Sequence, residues 1–382
     1  MSISVGIVGV GSFGAGFIRL FKDHPKVSRL ALCDLNEQRL ADAARKHGVG
    51  ETYPSLDEIC KSNIQALAII TQPWLHAPQA IQAMEAGKHV YSAVPVISLP
   101  DSDQMLEWCD KVIDACRRTG MQYMMGETSY YRPQAMYCRR RADAGDFGYF
   151  VQADGDYLHD VDSPRSNLRQ VAKSRWGDDW DISKSGDAPM HYPTHSFGGF
   201  LSVMKCHATE VTAMGYQMPG DDWHRADTIF GNLFGNETAM LRLSNGAVAR
   251  VREYRRIGHV GREAFQLFGT EGSFTDGAGG CYWVTREKAV PVTVEQMRDP
   301  LPAEVLAAYG GDTRDDSVYG GHGGSHAYLV NEFVDAADAG RLPAINAWEA
   351  VRYLAPGIMA HKSASNDGEL LKVPDWGDPP GR

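Results

Sequence analysis

The fold of this chain is decided by the stretch Val5-Gly6-Ile7-Val8-Gly9-Val10-Gly11-Ser12-Phe13-Gly14-Ala15-Gly16, near its start. A short β-branched run leads into a glycine turn, and phenylalanines then recur every four residues, which is the helical period. The pattern therefore predicts a strand, a tight turn and a helix. Gly9, Gly11 and Gly14 fit the G-x-G-x-x-G fingerprint, in which the backbone approaches a pyrophosphate at a helix N-terminus.

An acidic residue after the next predicted strand strengthens this interpretation. The strand Leu30–Cys33 ends at Asp34, about 20 residues after Gly14, where the fingerprint places the acid that binds ribose hydroxyls. A glycine-rich surface turn alone would not predict an acid there. Because a carboxylate repels the 2′-phosphate of NADP, the sequence predicts NAD as the cofactor.

Composition limits the classes to which the protein can belong. A chain of 382 residues with 43% hydrophobic residues suits about two domains. The net charge of −10 offers no basic surface to nucleic acid. We expect a cytoplasmic protein without a membrane partner, because no apolar run approaches the ~20 residues that span a bilayer and no signal-peptide pattern opens the chain. Seven scattered cysteines without a C-x-x-C pair predict reduced thiols and no metal site.

Strand and helix signals alternate up to Gly126, which predicts an α/β fold that begins with a Rossmann doubly wound parallel sheet. We assign this NAD-binding domain to residues 1–128. Its buried strand Ala66–Ile70 leads into the loop Thr71–His76. We expect this loop to contact the cofactor, because ligands of such sheets bind beyond the carboxyl ends of the strands.

The pattern changes beyond Tyr131 and predicts a C-terminal α+β domain, residues 129–382, with a mostly antiparallel open sheet. Strands are expected at 149–157, 208–214 and 228–234, a hairpin at Asn245-Gly246, and a long polar loop around Trp176 and Trp180. The last helices, near 327–339 and 347–360, are expected to pack back toward the Rossmann domain. One face of the sheet is left for a ligand or for a second subunit, and we expect a homo-oligomer formed through this sheet.

The chain resembles the Gfo/Idh/MocA oxidoreductases, which join a Rossmann domain to a sheet-based C-terminal domain. The matching segments are Gly9–Gly14, Asp34, Thr71–His76, Ala86–Val90, Pro95, Gly269–Gly272 and His322–Gly324. A typical member has Glu-Lys-Pro after the fourth strand, and its lysine assists proton transfer. Here Ala93 and Val94 precede Pro95, and an aliphatic side chain cannot act as a general acid or base. Either the acid/base group therefore comes from elsewhere in the chain, or catalysis is impaired or absent.

A narrower resemblance is to the NAD-dependent glycoside hydrolases of this superfamily, a branch that includes α-N-acetylgalactosaminidases. It rests on Trp74, His76, Val94-Pro95, Met124–Glu127, Asp154–Asp160, Tyr192–His195 and Val373–Trp376. It implies cofactor contacts at Ser12, Phe13, Asp34, Trp74, His76, Ala93, Val94 and Thr128. It implies substrate contacts at Tyr157, Tyr192, Pro193, Thr194 and His195. The branch usually has Glu, Asn and Gly where this chain has Ala93, Thr128 and Ser196.

This resemblance implies hydride transfer at a carbinol carbon of a sugar or glycoside, with redox-neutral cleavage through a 3-keto intermediate. Tyr157 is the candidate base for the C2 proton, and His195 is the candidate for the sugar hydroxyl. A phenol needs a nearby cation or hydrogen-bond donor to ionise near neutral pH, and the nicotinamide cation, His159 or Arg175 can provide it. The alternatives are a conventional sugar or cyclitol dehydrogenase that releases NADH, and a non-catalytic dinucleotide-binding regulatory protein.

Several of these residues also have plainer interpretations. Tyr157 can simply pack at a strand end. His191 and His195, four residues apart, can bind a metal together or can be structural histidines, and Pro193 between them disfavours the metal. Trp176 and Trp180 can form a stacking platform for a sugar ring, or they can anchor a long loop to the sheet, and the sequence favours neither interpretation.

Overall fold

Two β-sheets carry the fold in the computed structural model, which describes residues 2–164, 168–311 and 316–380. The first sheet consists of β1 (Ile3–Val8), β2 (Val27–Cys33), β3 (Glu51–Tyr53), β4 (Ala66–Ile69), β5 (His89–Ser92) and β6 (Tyr123–Met125). All its strands are parallel, in the order β3-β2-β1-β4-β5-β6. This is the strand order of a doubly wound dinucleotide-binding sheet, so the predicted Rossmann architecture is confirmed.

Helices connect these strands, and their ends follow from local sequence. They are α1 (Ser12–Asp23), α2 (Glu37–His47), α3 (Leu56–Lys61), α4 (His76–Glu85) and α5 (Ser102–Thr119). The Asn36 side chain accepts a hydrogen bond from the Arg39 backbone N–H at 2.8 Å and thereby starts α2. Gly48 ends the same helix in the left-handed conformation, with φ 61°. Asp101 and Gly120 do the same for α5.

The second sheet has nine strands and is mostly antiparallel, as predicted. Its strands are β7 (Phe150–Leu158), β8 (Ala208–Tyr216), β9 (Asn236–Leu243), β10 (Val248–Tyr254), β11 (Arg262–Gly269), β12 (Ser273–Gly277), β13 (Gly280–Val284), β14 (Ala289–Val292) and β15 (Leu371–Lys372). They lie in the order β14-β13-β12-β11-β7-β10-β9-β8-β15, in which β7 and β10 are parallel. The predicted Asn245-Gly246 turn joins β9 to β10, with Gly246 at φ 87°.

The remaining helices cover this sheet and reach back to the first. They are α6 (Pro133–Asp143), α7 (Leu168–Trp176), α8 (Thr194–Met204), α9 (Val294–Met297), α10 (Ala303–Ala308), α11 (Gly321–Ala339) and α12 (Ala347–Ala364). The ring of Phe333 on α11 lies 6.3 Å from that of Phe21 and 5.7 Å from that of Tyr91. The Met125 backbone N–H donates to the Ile345 carbonyl oxygen at 2.9 Å. The last helices thus pack on the Rossmann sheet, while the division at residue 128 stays a prediction.

Two elements differ from the expectation. Residues 228–234 form a turn followed by irregular backbone rather than a strand, and the Asn232 side chain accepts from the Phe234 N–H at 2.9 Å and donates to the Phe234 carbonyl at 2.9 Å. These bonds take the backbone groups that a strand would offer to its neighbour. The polar loop around Trp176 contains α7, which has no buried residue and therefore no apolar stripe by which sequence periodicity could reveal it.

The structure also bears on the cysteines and on the absence of a membrane span in the described residues. All seven cysteines are unpaired thiols, and burial raises the pKa of the Cys109 thiol well above its usual range. Within the described ranges, no helix has the length and apolar character needed to cross a membrane.

Candidate active site

The glycine turn after β1 has the shape that a dinucleotide needs. A Cβ on Gly9 would lie 2.4 Å from a backbone oxygen, and a Cβ on Gly14 would lie 2.0 Å from another. A side chain at either position would therefore clash with the backbone. A Cβ on Gly11 would meet nothing within 4 Å. Gly11 therefore faces open space where a pyrophosphate would lie, and the exposed residues Ser12 and Phe13 begin α1 beside it.

Asp34 stands at the other end of the expected cofactor cleft. Its Oδ2 accepts from the Val10 N–H at 2.9 Å, and its Oδ1 accepts from the Asn36 N–H at 2.9 Å. The Arg39 guanidinium lies 3.5 Å from Oδ1. Val10, Asn36 and Arg39 also line a surface cleft next to α2. The carboxylate is thus fixed at the edge of a cleft, as an acid that binds ribose hydroxyls requires.

The loop after β4 is held in place by a buried histidine. His76 Nδ1 lies 2.8 Å from the Pro95 carbonyl oxygen, and its Nε2 lies 3.1 Å from that of Thr71. Burial lowers the pKa of His76 to about 4, so the ring is neutral and its one N–H donates to one of these two carbonyl oxygens. The Thr71 hydroxyl donates to Gln79 Oε1 at 2.6 Å. The predicted cofactor residue His76 therefore ties the loops after β4 and β5 together from the protein interior.

Trp74 and Trp176 form an aromatic contact between the two halves of the chain. Their rings are stacked, with centroids 4.2 Å apart and planes 20° apart. The Lys184 ammonium lies 4.8 Å from the Trp176 ring centroid. Because Trp176 already carries these two neighbours, its position favours the anchoring interpretation over the sugar platform. The Arg175 guanidinium lies 5.5 Å from the ring centroid of Tyr192.

The segment Ala93–Pro95 occupies the place of the missing Glu-Lys pair. Ala93 and Val94 are buried, and the Val94 carbonyl oxygen accepts a hydrogen bond from the Tyr192 hydroxyl at 3.2 Å. Lys88 does not replace the lysine, because its ammonium donates to the Ser62 carbonyl at 2.6 Å at the opposite end of β5. This segment is therefore hydrogen-bonded to the Tyr192–His195 segment.

His195 is the centre of the candidate site. Its Nδ1 lies 2.9 Å from Glu127 Oε1 and 3.4 Å from the Thr128 hydroxyl. Its ring centroid lies 5.0 Å from that of Tyr157 and 5.8 Å from that of Tyr192. The structure thus brings together four of the predicted site residues, at the carboxyl end of β6. Glu127, which the sequence analysis did not assign to the site, is their partner.

A second carboxylate and one arginine complete this cluster. Glu263 Oε1 lies 3.8 Å from His195 Nδ1, and Glu263 Oε2 accepts from Arg132 Nη2 at 2.8 Å. Burial lowers the pKa of His195, but the charges of Glu127 and Glu263 outweigh burial and raise the pKa to about 9. Burial acts to raise the pKa of Glu127, yet His195 holds it well below its usual range. Two carboxylates, one guanidinium and one imidazolium therefore balance their charges in the protein interior.

The same three side chains, Glu127, His195 and Glu263, have ligand atoms within 4.8 Å of one another and so meet the spacing of a metal site. A divalent ion would have to displace the His195 proton and would stand beside the Arg132 guanidinium. The balanced charges disfavour that exchange. We therefore assign no metal to this cluster.

Tyr157 lies beside the cluster with a different set of neighbours. Its hydroxyl is 2.7 Å from His159 Nδ1, and the Arg255 guanidinium lies 4.9 Å from its ring centroid. Burial raises the pKa of Tyr157 well above its usual range, although Arg255 acts to lower it. The phenol is therefore protonated at neutral pH. The cation at Tyr157 is Arg255, whereas Arg175 contacts Tyr192 instead.

The rest of the Tyr192–His195 segment turns inward. The Pro193 carbonyl oxygen accepts from the Ser196 N–H at 3.0 Å as α8 begins. Thr194 is fully buried, so its hydroxyl faces the protein interior. The hydroxyl of Ser196 contacts the buried carboxyl of Glu253. Within this segment the tyrosine and histidine rings are therefore the groups that can meet a substrate.

His191 does not join His195. Its Nε2 lies 2.9 Å from the Ser102 hydroxyl, and its Nδ1 lies 3.0 Å from the Leu99 carbonyl oxygen. Burial lowers the pKa of His191 to about 3. It is a structural histidine, and the alternative of a shared metal between the two histidines finds no support.

Known proteins resemble this chain in sequence and in fold. Residues 3–127 match a family described as an oxidoreductase family with an NAD-binding Rossmann fold. A glycosyl hydrolase family 109 protein of Streptomyces niveus is 26% identical, and the alignment covers 98% of this chain and 77% of the relative. An α-N-acetylgalactosaminidase of Shewanella oneidensis is 22% identical over 98% of this chain and 85% of its own. A levoglucosan dehydrogenase solved with NADH and levoglucosan shares the fold, with a TM-score of 0.76, 20% identity, and coverage of 98% and 100%.

Proposed function

We propose that the chain acts on a sugar or glycoside by hydride transfer at a carbinol carbon, because residues 3–127 match an oxidoreductase family with an NAD-binding Rossmann fold. The proposal extends to redox-neutral glycoside cleavage through a 3-keto intermediate. Two relatives that align over 98% of the chain bear glycosidase names, which supports this extension. The observation that carries the proposal is the contact of His195 with Glu127, Tyr157 and Tyr192 at the carboxyl edge of the Rossmann sheet.

Bound NAD would supply the one capacity that no side chain here has, which is to accept a hydride and to return it. Gly9, Gly11, Gly14 and the start of α1 would hold its pyrophosphate, and Asp34 its ribose. We also propose contacts to NAD from Thr71, Trp74, Ala93, Val94, Pro95 and Thr128. His76 supports them by fixing the loops that carry Thr71 and Pro95.

His195 is proposed to accept the proton of the sugar hydroxyl at Nε2. Glu127 accepts the Nδ1 hydrogen bond and thereby fixes the orientation of the ring. Because the pKa of His195 is raised, the imidazole must lose its Nε2 proton before it can act as a base. In this chain His195 thus takes the role for which Ala93 and Val94 offer no side chain.

Tyr157 is proposed to take the C2 proton. Its phenol is protonated at neutral pH, so it can act as a base only if its own proton leaves at the same time. His159 Nδ1, at 2.7 Å from the hydroxyl, is the acceptor for that proton. Arg255 over the ring stabilises the negative charge that develops on the phenol oxygen.

Turnover of a panel of aryl glycosides and free sugars with catalytic NAD tests the proposal. The absorbance of reduced nicotinamide and the release of the aglycone are followed together. Aglycone release without net NADH is expected, and it should be lost in Tyr157→Phe and His195→Ala. Tyr149→Phe is the matched control, since Tyr149 is 85% exposed on the second domain.

Each other outcome has a defined meaning. NADH that accumulates as substrate is consumed identifies a conventional sugar or cyclitol dehydrogenase. Tight NAD binding without turnover of any member of the panel favours a non-catalytic regulatory protein. Unchanged rates in both active-site variants would contradict the assigned roles.

We further propose that the chain forms a homo-oligomer through the outer face of the nine-stranded sheet. Met214, Tyr216, Met240 and Val248 lie on this face and are between 42% and 67% exposed. A continuous sheet face that carries such side chains is typical of a surface covered by a second subunit.

A further inference from the structure

His322 has a backbone conformation that its residue type does not favour. It lies in the first turn of α11 with φ 54° and ψ 51°, and Gly323 and Gly324 follow with φ 68° and 90°. Glycine adopts this left-handed conformation at no steric cost, whereas a residue with a Cβ is strained there. A histidine is therefore less favourable than a glycine at this position, and a strained residue of this kind suggests that its side chain has a function.

Hydrogen bonds fix the tautomer of this side chain. The Gly321 N–H points to His326 Nδ1 at 3.3 Å, and a backbone N–H can only donate. His326 Nδ1 is therefore an acceptor, and the proton of the neutral ring lies on Nε2. That Nε2 is 2.9 Å from His322 Nδ1 and donates to it. Neutral His322 must then carry its own proton on Nε2.

Burial favours this neutral arrangement. It lowers the pKa of His326 to about 3 and also lowers the pKa of His322. The nearby charge of His195 lowers the pKa of His322 further. The His326 ring is clamped by stacking on Phe17, with centroids 4.4 Å apart. The two histidines form a rigid donor chain that starts at a backbone N–H and ends at His322 Nε2.

The donor stands between the cofactor turn and the proposed catalytic histidine. The His322 ring lies 5.8 Å from that of Phe13 at the start of α1, in an edge contact. It lies 6.3 Å from the His195 ring, with the two planes 18° apart. The His322 ring is partly buried against His326, but the residue keeps solvent-exposed surface, and among the described residues no protein group accepts from its Nε2. The N–H is thus available to a ligand in the cleft.

We infer that His322 contacts the substrate and donates a hydrogen bond from Nε2 to an oxygen of the bound sugar. This inference rests on the proposed function, since it assigns a further residue to the same site. An N–H of fixed tautomer can only donate, so His322 cannot share the base role of His195. It is suited instead to orient a sugar oxygen or to stabilise the negative charge that develops on it. An oxygen of the cofactor is the other acceptor that could lie near Phe13.

His322→Gly is the informative substitution, because glycine accepts the backbone conformation and the variant is expected to fold, although His326 Nε2 loses its acceptor. We expect kcat/KM for the sugar to fall about tenfold or more, as for the loss of one well-placed hydrogen bond. The Kd of NAD, measured by titration, should stay unchanged. Asp367→Gly is the matched control: Asp367 also has a positive φ, 51°, but it lies in the turn after α12.

The outcomes separate the two proposals. A wild type that turns over no sugar defeats the proposed function. A wild type that is active, with an equally active His322→Gly variant, overturns the present inference alone. A weaker affinity for NAD with unchanged sugar kinetics would assign the donor to the cofactor and would overturn the sugar contact.

The tautomer itself can be measured without turnover. Nitrogen-15 NMR of histidine-labelled protein distinguishes the two ring nitrogens, and the His322→Gly spectrum identifies the signals of His322. We expect Nε2–H tautomers for both His322 and His326. In His326→Phe, which keeps a ring on Phe17, the His322 signals should no longer show one fixed tautomer. A wild-type His322 protonated on Nδ1 would overturn the donor chain.

Discussion

His195 Nδ1 and Glu127 Oε1 are 2.9 Å apart, and Glu127 has no solvent-exposed surface. This pair links a residue at the end of β6 to the start of α8, and it controls the charge of the proposed base. Because an imidazolium has no free lone pair at Nε2, the activity should depend on the loss of that proton.

The first prediction concerns the pH profile of the sugar oxidation. The pKa of His195 is raised to about 9, so kcat/KM should rise with pH until His195 is neutral. Glu127→Gln removes the main charge that raises this pKa, so the rise should occur at lower pH. The pH–rate profiles of wild type and variant check this. A profile that does not move would exclude His195 as the group that titrates.

The second prediction concerns stability. The pKa of His195 is higher in the folded protein than its ordinary value of 6.5. The pair therefore stabilises the fold fully between the ordinary pKa of Glu127, 4.5, and about pH 6.5, and this contribution is lost as the pH rises through about 9. Urea unfolding at several pH values should show the loss in wild type and a smaller loss in Glu127→Gln. If the free energy of unfolding depended on pH equally in both proteins, the result would contradict the assignment of the raised pKa to the His195–Glu127 pair.

Breaking the pair should also cost stability at neutral pH. Glu127→Ala leaves the buried His195 without its main counter-charge, and breaking a buried ion pair costs about 3–5 kcal/mol. Glu127→Gln keeps a hydrogen-bond acceptor and should cost less. Urea unfolding of both variants measures the difference, with Glu58→Ala, on an exposed helix face, as the control. A Glu127→Ala variant as stable as wild type would contradict a structural ion pair.

The third prediction concerns the cofactor. Asp34→Ser removes the charge that repels a 2′-phosphate and leaves the Arg39 guanidinium, now 3.5 Å from Oδ1, to attract one. The ratio of NADP affinity to NAD affinity should rise about tenfold or more, which corresponds to about 1.4 kcal/mol. Titration of each dinucleotide gives the two constants. Asp114→Ser, on the exposed side of α5, should change neither. Tighter binding of NADP by the wild type would overturn the preference for NAD.

The fourth prediction concerns the oligomer. Met240 lies on the outer face of the nine-stranded sheet and is 45% exposed. Met240→Glu would bury a charge in the proposed interface and should shift the mass in light scattering toward the monomer. Val290→Glu, on β14 at the end of the sheet, is a control for added charge. A wild type that is monomeric at all concentrations would contradict the proposal.

The Rossmann half could be predicted because its signals are local. The glycine spacing and Asp34 act within one strand–turn–helix unit and its neighbour, so their geometry follows from short-range rules. The wrong strand at 228–234 shows the limit of such rules. Its residues have strand character, but the Asn232 side chain donates to the Phe234 carbonyl and accepts from the Phe234 N–H, and these bonds compete with the ladder.

The partners of the site could not be predicted, because sheet register creates them. Glu253, Tyr157 and Glu263 lie side by side on β10, β7 and β11, although they are far apart in sequence. Each acid looks ordinary in its own strand. The cation near Tyr157 was sought at Arg175, whereas the fold supplies Arg255 from a strand whose pairing no motif reveals.

The contacts of Phe333 with Phe21 and Tyr91 make the two halves of the chain one folding unit. In a fragment that ends near residue 128, Phe21 and Tyr91 would lose their contacts with Phe333, and Met125 of β6 would lose its hydrogen bond to Ile345. The nucleotide-binding half is thus finished only when the last fifth of the polypeptide has been made. Heating should then melt both sheets in a single calorimetric transition.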